Sequence, residues 1–261
     1  MSAAGLSIQR LSAGYGRRPV IGDLTLAPFA PGQLTALVGP NAAGKSTLLR
    51  ALAGLIPARG RLTLDETDLM ALPHPIRARL VGFMPQALPQ GIALTVMETV
   101  IAALMAVPLA APCSAAEARV RAAALLAQMG IAGLALTPID RLSGGQRQLV
   151  SLAQALVREP RVLLLDEPTS ALDLRHQAVV MDLLRGLAAE GRIIVVVLHD
   201  LALAARHADH VVVLDRGTLA TQGAPAEAIT AAMLAAVYGV AGRVETCARG
   251  TLQVMVDAPL R

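Results

Sequence analysis

The sequence predicts an α/β fold: a mainly parallel sheet covered on both faces and split by a helical insertion. Three observations predict it. Short, almost wholly apolar runs recur at Leu34–Val38, 162–165, 193–198 and 211–214. Strands buried on both faces read this way, whereas half-exposed strands alternate. Helical segments such as 178–189 lie between those runs, the pattern of parallel strands joined by crossover helices. From about residue 92 to 158 the pattern turns helical and alanine-rich, as in Ala115–Gln128, which interrupts the core.

Taken in order, residues 6–8, 25–26 and 34–38 read as short β segments separated by Gly and Pro turns. Gly39-Pro40-Asn41-Ala42-Ala43-Gly44-Lys45-Ser46-Thr47 follows the third of them and precedes the helical run 48–52. It fits G-x-x-x-x-G-K-[ST], a loop whose backbone N–H groups surround a phosphate at the positive end of the next helix. Lys45 is the sole lysine of the chain; every other basic side chain apart from histidine is arginine. A compact ammonium on a flexible stem reaches β- and γ-phosphates in a way that arginine's planar fork does not reproduce. Further strands are expected at 60–64 and 80–84, and no internal repeat is apparent.

The run 162–165 ends in Asp166-Glu167, placing two carboxylates at the end of a buried strand, where α/β sheets bind ligands. With a phosphate loop, Ser46 and Asp166 suit Mg²⁺, and Glu167 suits a general base acting on water. Leu142-Ser143-Gly144-Gly145-Gln146 precedes the helix-like residues 147–156. Ser143 reads as an N-cap, with glycines that let an anion approach the exposed N–H groups. His199 ends the run 195–198, beside the point where Lys45 and Asp166 must converge.

Composition bounds the rest. Of 261 residues, 54% are hydrophobic and 2% aromatic, so Ala, Leu and Val build the interior. The net charge is +4, but no run of like charges occurs and aromatics to stack bases are nearly absent, which argues against a nucleic-acid partner. The start of the chain lacks a basic region followed by an apolar stretch, so no secretion signal is expected. Mean hydropathy is positive, and residues 99–116 carry no charge, but Pro108 and Pro112 interrupt them too early for a membrane span. Cys113 and Cys247 are isolated, as expected of reduced thiols in a cytoplasmic protein. His207 and His210, with Asp209 between them and no further ligand, read as a helix end rather than a metal site.

Together these motifs resemble the ATP-binding cassette (ABC) ATPases over essentially the whole length. The resemblance implies a P-loop NTPase core with a mainly parallel sheet, an N-terminal antiparallel β subdomain and an inserted α-helical subdomain. It divides a single domain into an α/β core (1–87 and 159–240), a helical subdomain (88–158) and a C-terminal tail (241–261). It implies that residues 142–146 are the signature motif, reaching the γ-phosphate of ATP held by an opposite subunit. Gln86 is similar to the Q-loop glutamine, a metal and water ligand, and Ser170-Ala171-Leu172-Asp173 is similar to the D-loop. His199 is similar to the switch histidine, and Tyr15 to the aromatic residue that stacks on adenine.

Residues 139–148, 173–177 and 198–206 and the tail segment 238–244 resemble the subgroup that energises importers of ferric siderophores, haem and cobalamin. That likeness implies an ATP- and Mg²⁺-dependent homodimer. It would lie on the cytoplasmic face of the cell membrane, joined to integral permease subunits and through them to a substrate-binding protein. Two departures stand out. Ala42 occupies a position where the family most often has glycine, harmless at negative φ and strained at positive φ. Residues 105–116 are more apolar than the subgroup leads one to expect. A soluble ATPase that assembles metal clusters is the competing class. A regulatory GTPase is excluded, because its usual guanine-reading N-K-x-D motif needs a second lysine.

Overall fold

Two long strands open the chain, β1 (Leu6–Tyr15) and β2 (Arg18–Phe29), in a computed structural model that describes residues 5–16, 18–86, 94–106, 113–248 and 250–260. They pair antiparallel with register shifts near Ile8 and Leu11, and Arg10 and Asp23 adopt left-handed backbone conformations there. These bulges break the in–out alternation. That is why the sequence shows only short fragments at 6–8 and 25–26.

The core strand β3 (Leu34–Val38) then feeds helix α1 (Lys45–Ala53). Next come β4 (Ala58–Leu64), β5 (Thr67–Asp68), α2 (His74–Leu80) and β6 (Val81–Met84). The helical insertion carries α3 (Val96–Met105), α4 (Ala115–Gln128) and α5 (Gly144–Leu156). All three begin with capping boxes, Thr95 with Glu98, Ser114 with Glu117 and Ser143 with Gln146. Each reciprocal pair satisfies two otherwise orphaned backbone donors, so polar side chains set where these helices start. After β7 (Val162–Asp166) follow α6 (Leu174–Ala189), β8 (Ile193–Val197), α7 (Leu201–His207), β9 (His210–Asp215) and β10 (Thr218–Gly223). Short helices α8 (Pro225–Ala228) and α9 (Ala231–Met233) lead into a π-helical turn, then the hairpin β11 (Val240–Thr246) and β12 (Leu252–Pro259).

The main sheet runs β10-β9-β3-β8-β7-β6, parallel except for β10, and a four-stranded sheet runs β2-β1-β4-β5. Every residue of β3, β7 and β8 is buried. Successive side chains of a strand point to opposite faces, and the core divides accordingly. Leu34, Ala36, Leu163, Leu165, Ile194 and Val196 pack against α5, α6 and the insertion. Leu37, Leu164, Val195 and Val197 pack against α1 and the β2-β1-β4 sheet. The second cover is therefore largely a sheet.

On α1, Leu48, Leu49 and Leu52 are almost fully buried, each contributing at most about 1.5–3 kcal/mol. The helix ends at Gly54 in the left-handed region, where the N–H groups of Gly54 and Leu55 take the carbonyls of Ala51 and Arg50. Arg77 of α2, itself buried, donates 2.7 Å bonds to the carbonyls of Ala51 and Leu52. A fixed positive charge at a helix C-terminus also complements its dipole.

Among the described residues no helix is long and apolar enough to cross a membrane. Residues 107–112 of the apolar stretch 99–116, with both prolines, lie outside the described residues, as do residues 1–4 and 88–93.

Replacing Arg77 with Leu should remove the buried donor to the Ala51 and Leu52 carbonyls, destabilising the fold by about 1–3 kcal/mol in a urea denaturation curve. An unchanged midpoint would show that the cap contributes nothing.

Candidate functional site

Four neighbouring parallel strands deliver the predicted residues to one edge of the sheet. In the order β3, β8, β7, β6, their carboxyl ends lead into the phosphate loop, His199, Asp166 with Glu167, and Gln86. Strands lie about 4.8 Å apart, so residues more than a hundred positions apart in sequence become neighbours. They open on a cleft of about 650 Å³ lined by Tyr15, Lys45, Ser46, Thr47, Glu167 and His199 among others.

The phosphate loop turns through Gly39, Ala42 and Gly44, all at positive φ. Ala42 has φ 64°, so of the two alternatives left open by the sequence, the strained one holds. Gly44, also left-handed, ends the loop at the N-terminus of α1. Pro40 and Ala43 close an internal turn through Ala43 N–H to Pro40 O, and Asn41 and Ala42 lie exposed on the cleft side. Lys45 Nζ donates to the carbonyls of Gly39 at 2.7 Å and Pro40 at 2.8 Å. Burial lowers the Lys45 pKa, opposed by the charges of Glu167 and Asp166.

Ser46 Oγ donates to Asp166 Oδ1 at 3.0 Å. Asp166 is fully buried, and burial raises its pKa, opposed chiefly by the Ser46 bond. Its Oδ2 is buried with no hydrogen-bond partner. A buried, unpartnered carboxylate oxygen is costly unless something positive meets it. Together with the Ser46 hydroxyl it offers hard oxygen donors of the kind Mg²⁺ takes. Among the described residues no group of three or more His, Cys, Asp or Glu converges as a metal cluster. The donors in contact are thus one carboxylate and one hydroxyl, and Gln86, whose amide nitrogen is engaged on Glu167, adds an amide oxygen nearby.

Glu167 sits at φ 56°, a conformation that costs a non-glycine residue about 1–3 kcal/mol and marks sites where geometry is imposed. Its two carboxylate oxygens accept separate bonds, from Gln86 Nε2 at 2.9 Å and from His199 Nε2 at 2.5 Å. His199 is followed by Asp200, whose side chain caps α7 by accepting from the N–H groups of Ala202 and Leu203.

Tyr15 ends β1 at the cleft margin, 46% exposed, and its hydroxyl accepts from Arg50 of α1 at 2.9 Å. The signature residues Ser143, Gly144, Gly145 and Gln146 do not join this cleft. They line a second depression with Ala171, Leu172, Asp173 and His176. There the capping box seen in α5 holds Ser143 N–H on Gln146 Oε1 at 2.9 Å. Asp173 caps α6, accepting from His176 N–H at 2.8 Å, which lowers its pKa. His207 and His210 part company: one ends α7 and the other begins β9. Neither Cys113 nor Cys247 is in a disulfide.

Arg18, Arg50, Arg216 and Tyr238 escaped sequence reasoning. Arg18 and Arg216 line the cleft, and the turn holding Arg216 is tied to the loop by Gly217 N–H donating to Ala43 O at 3.0 Å. Burial pushes the Tyr238 phenol up to about 12, opposed by a hydrogen bond with the backbone of Gly39. None of these lies in a motif; only the likeness of 238–244 to known tails hinted at Tyr238.

Comparison with known proteins agrees with this geometry. A sequence profile described as "ABC transporter" matches residues 24–170. The achromobactin transport ATP-binding protein CbrD of Dickeya dadantii is 38% identical over 243 residues, 92% of this chain and 89% of that protein. The hemin import ATP-binding protein HmuV of Thermobifida fusca is 41% identical over 89% of this chain and 81% of its own length. Among solved structures, the dimeric post-hydrolysis ATP-binding cassette MJ0796 bound to ADP and Pi is 28% identical. It superposes with a TM-score of 0.75, covering 84% of this chain and 98% of that one.

Changing Ala42 to glycine should relieve the left-handed alanine and stabilise the protein by about 1 kcal/mol, about 2 °C in melting temperature for a chain of this size. A lower melting temperature would contradict the strain.

Proposed function

The chain belongs to the ABC transporter family as an ATP-binding, ATP-hydrolysing subunit, and from that premise we propose that it works as a homodimer powering an importer of an iron-siderophore, haem or cobalamin-type substrate. The observation that carries the reading is the separation of two half-sites on one chain. Lys45, Ser46, Glu167 and His199 line the cleft, with Asp166 bonded to Ser46 and Gln86 to Glu167, whereas Ser143, Gly144, Gly145 and Gln146 face a different depression. Two copies related by a twofold axis complete two sites, each joining one subunit's phosphate loop to the other's signature turn.

In this reading the N–H groups of the loop and the α1 N-terminus hold the phosphates, Lys45 reaches the β- and γ-phosphates, and Tyr15 stacks on adenine. Ser46 and Asp166, with Gln86, hold Mg²⁺, which when bound neutralises charge on the phosphate oxygens. Glu167 takes the proton of the attacking water, with Gln86 and His199 fixing its carboxylate and His199 also meeting the γ-phosphate. Loss of that phosphate removes the bridge between subunits, and the dimer opens. Integral permease subunits would convert the opening into transport and would connect it to a substrate-binding protein. The protein then lies peripherally on the cytoplasmic face of the membrane. The division into core (1–87, 159–240), helical subdomain (88–158) and tail (241–261) belongs to the same reading. The relatives' named roles in achromobactin transport and hemin import favour this over a soluble assembly ATPase.

Glu167→Gln should abolish most hydrolysis and leave an ATP-dependent dimer visible by size-exclusion chromatography; parental turnover would remove Glu167 from the base role. Lys45→Arg should keep the parental melting temperature and lose ATP hydrolysis by a factor of about ten or more. Deleting the gene and following uptake of ferric siderophore, haem and cobalamin tests the cargo, and normal uptake of all three would sink the importer assignment.

A further inference from the structure

One buried polar side chain outside the cleft touches both functional surfaces of the chain. Gln148 lies on α5, five residues after Ser143, and is only 7% exposed. Its amide nitrogen donates to the backbone carbonyl of Glu167 and to Ser170 Oγ, the latter at 3.1 Å. Its amide oxygen accepts from the N–H of Ala171 at 2.9 Å. A glutamine with both ends engaged on one loop has a single low-energy placement, because a flipped amide would set donors against donors. On the other flank, Gln177 of α6 donates to the carbonyls of Thr169 at 3.2 Å and Leu172 at 3.1 Å. The loop from Glu167 to Asp173 is thus clamped between two helices.

Sterics tighten the same junction. A Cβ on Gly145 would lie 2.9 Å from the Ala171 carbonyl oxygen, so the signature turn rests on this loop with no room for a side chain. The loop begins with Glu167, whose carboxylate reaches the cleft, and ends with Asp173 in the second depression. A displacement of the α5 N-terminus therefore carries the Glu167 backbone with it. A fully satisfied buried amide network rigidifies what it joins, here α5 and the Glu167 loop.

We propose that Gln148 is a positioning residue that couples the two nucleotide sites of the dimer, transmitting engagement of the partner's nucleotide by this chain's signature turn to the Glu167 of its own site. The proposal rests on the two-site dimer described above. The coupling is reciprocal in binding, since each chain carries one signature turn and one Glu167.

The test is the ATP dependence of hydrolysis by the full-length chain. The parent should show a Hill coefficient above one and at most about two, the number of sites. Gln148→Glu keeps an acceptor for Ala171 N–H but removes the donor to Glu167 O and Ser170. It should lower the Hill coefficient to about one and lower kcat, while the binding of ATP to the monomer changes less than about twofold. Gln148→Asn, which retains the amide on a shorter stem, should restore part of the cooperativity. A folded Gln148→Glu protein with undiminished cooperativity overturns the proposal. So does a variant that loses melting temperature and kcat while its Hill coefficient stays parental, since that marks a structural brace alone. The dimer reading is checked separately: if Glu167→Gln in the otherwise parental chain stays monomeric with ATP, the reading falls, and the coupling with it.

Discussion

The site exists because four parallel strands lie side by side with both faces covered. β3, β8 and β7 contain almost nothing but Val, Leu, Ile and Ala, and they are buried along their whole length. Such strands hydrogen-bond in one register and cannot slide without exposing apolar surface on two sides at once. Their carboxyl ends are consequently fixed relative to one another, and the phosphate loop, His199, Asp166 and Glu167 hang from those ends. The burial that orders the strands also desolvates Asp166 and Lys45, pushing the carboxyl pKa up and the ammonium pKa down. Both shifts disfavour charge, and each is opposed by the other group's charge, so the pair is poised toward a ligand carrying charge of its own.

Two strained residues follow the ends of core strands. Ala42 and Glu167 are both non-glycine residues held in the left-handed region. In each case neighbouring structure holds the residue: the loop is bracketed by Gly39, Gly44 and the Gly217 contact, and Glu167 is held at its carbonyl by Gln148 and at its carboxylate by Gln86 and His199. A residue so held presents its side chain in one direction, which reduces the reorganisation needed when a reaction begins.

The motifs were legible because each packs its chemistry into adjacent positions. A phosphate loop, an apolar strand ending in Asp-Glu, and a Ser-Gly-Gly-Gln turn before a helix each state their local geometry outright. Of the three helix caps in the insertion, only Ser143 was read from the sequence; the boxes Thr95-x-x-Glu98 and Ser114-x-x-Glu117 were shown by the structure. The N-terminal strands were harder, since bulges at Arg10 and Asp23 erase the two-residue period on which a strand is recognised. The closing hairpin β11–β12 was also missed, because its mixture of Arg, Glu and Thr with Val lacks the fully apolar signature of a core strand.

By itself the sequence determined the α/β class, the phosphate loop, the Asp166–Glu167 strand end and the cap that starts α5, because these depend on residues within about one turn or one strand of each other. Tertiary structure alone decided which of them meet. The strand order placed His199 and Gln86 on opposite oxygens of Glu167, left Ser143 facing a separate depression, and set Ala42 at positive φ. It also brought Arg50 to Tyr15, Tyr238 to Gly39 and Gln148 to the Glu167 loop. Those contacts join positions from 19 to 199 residues apart. No local pattern encodes such distances; only the packing of two covers onto one sheet does.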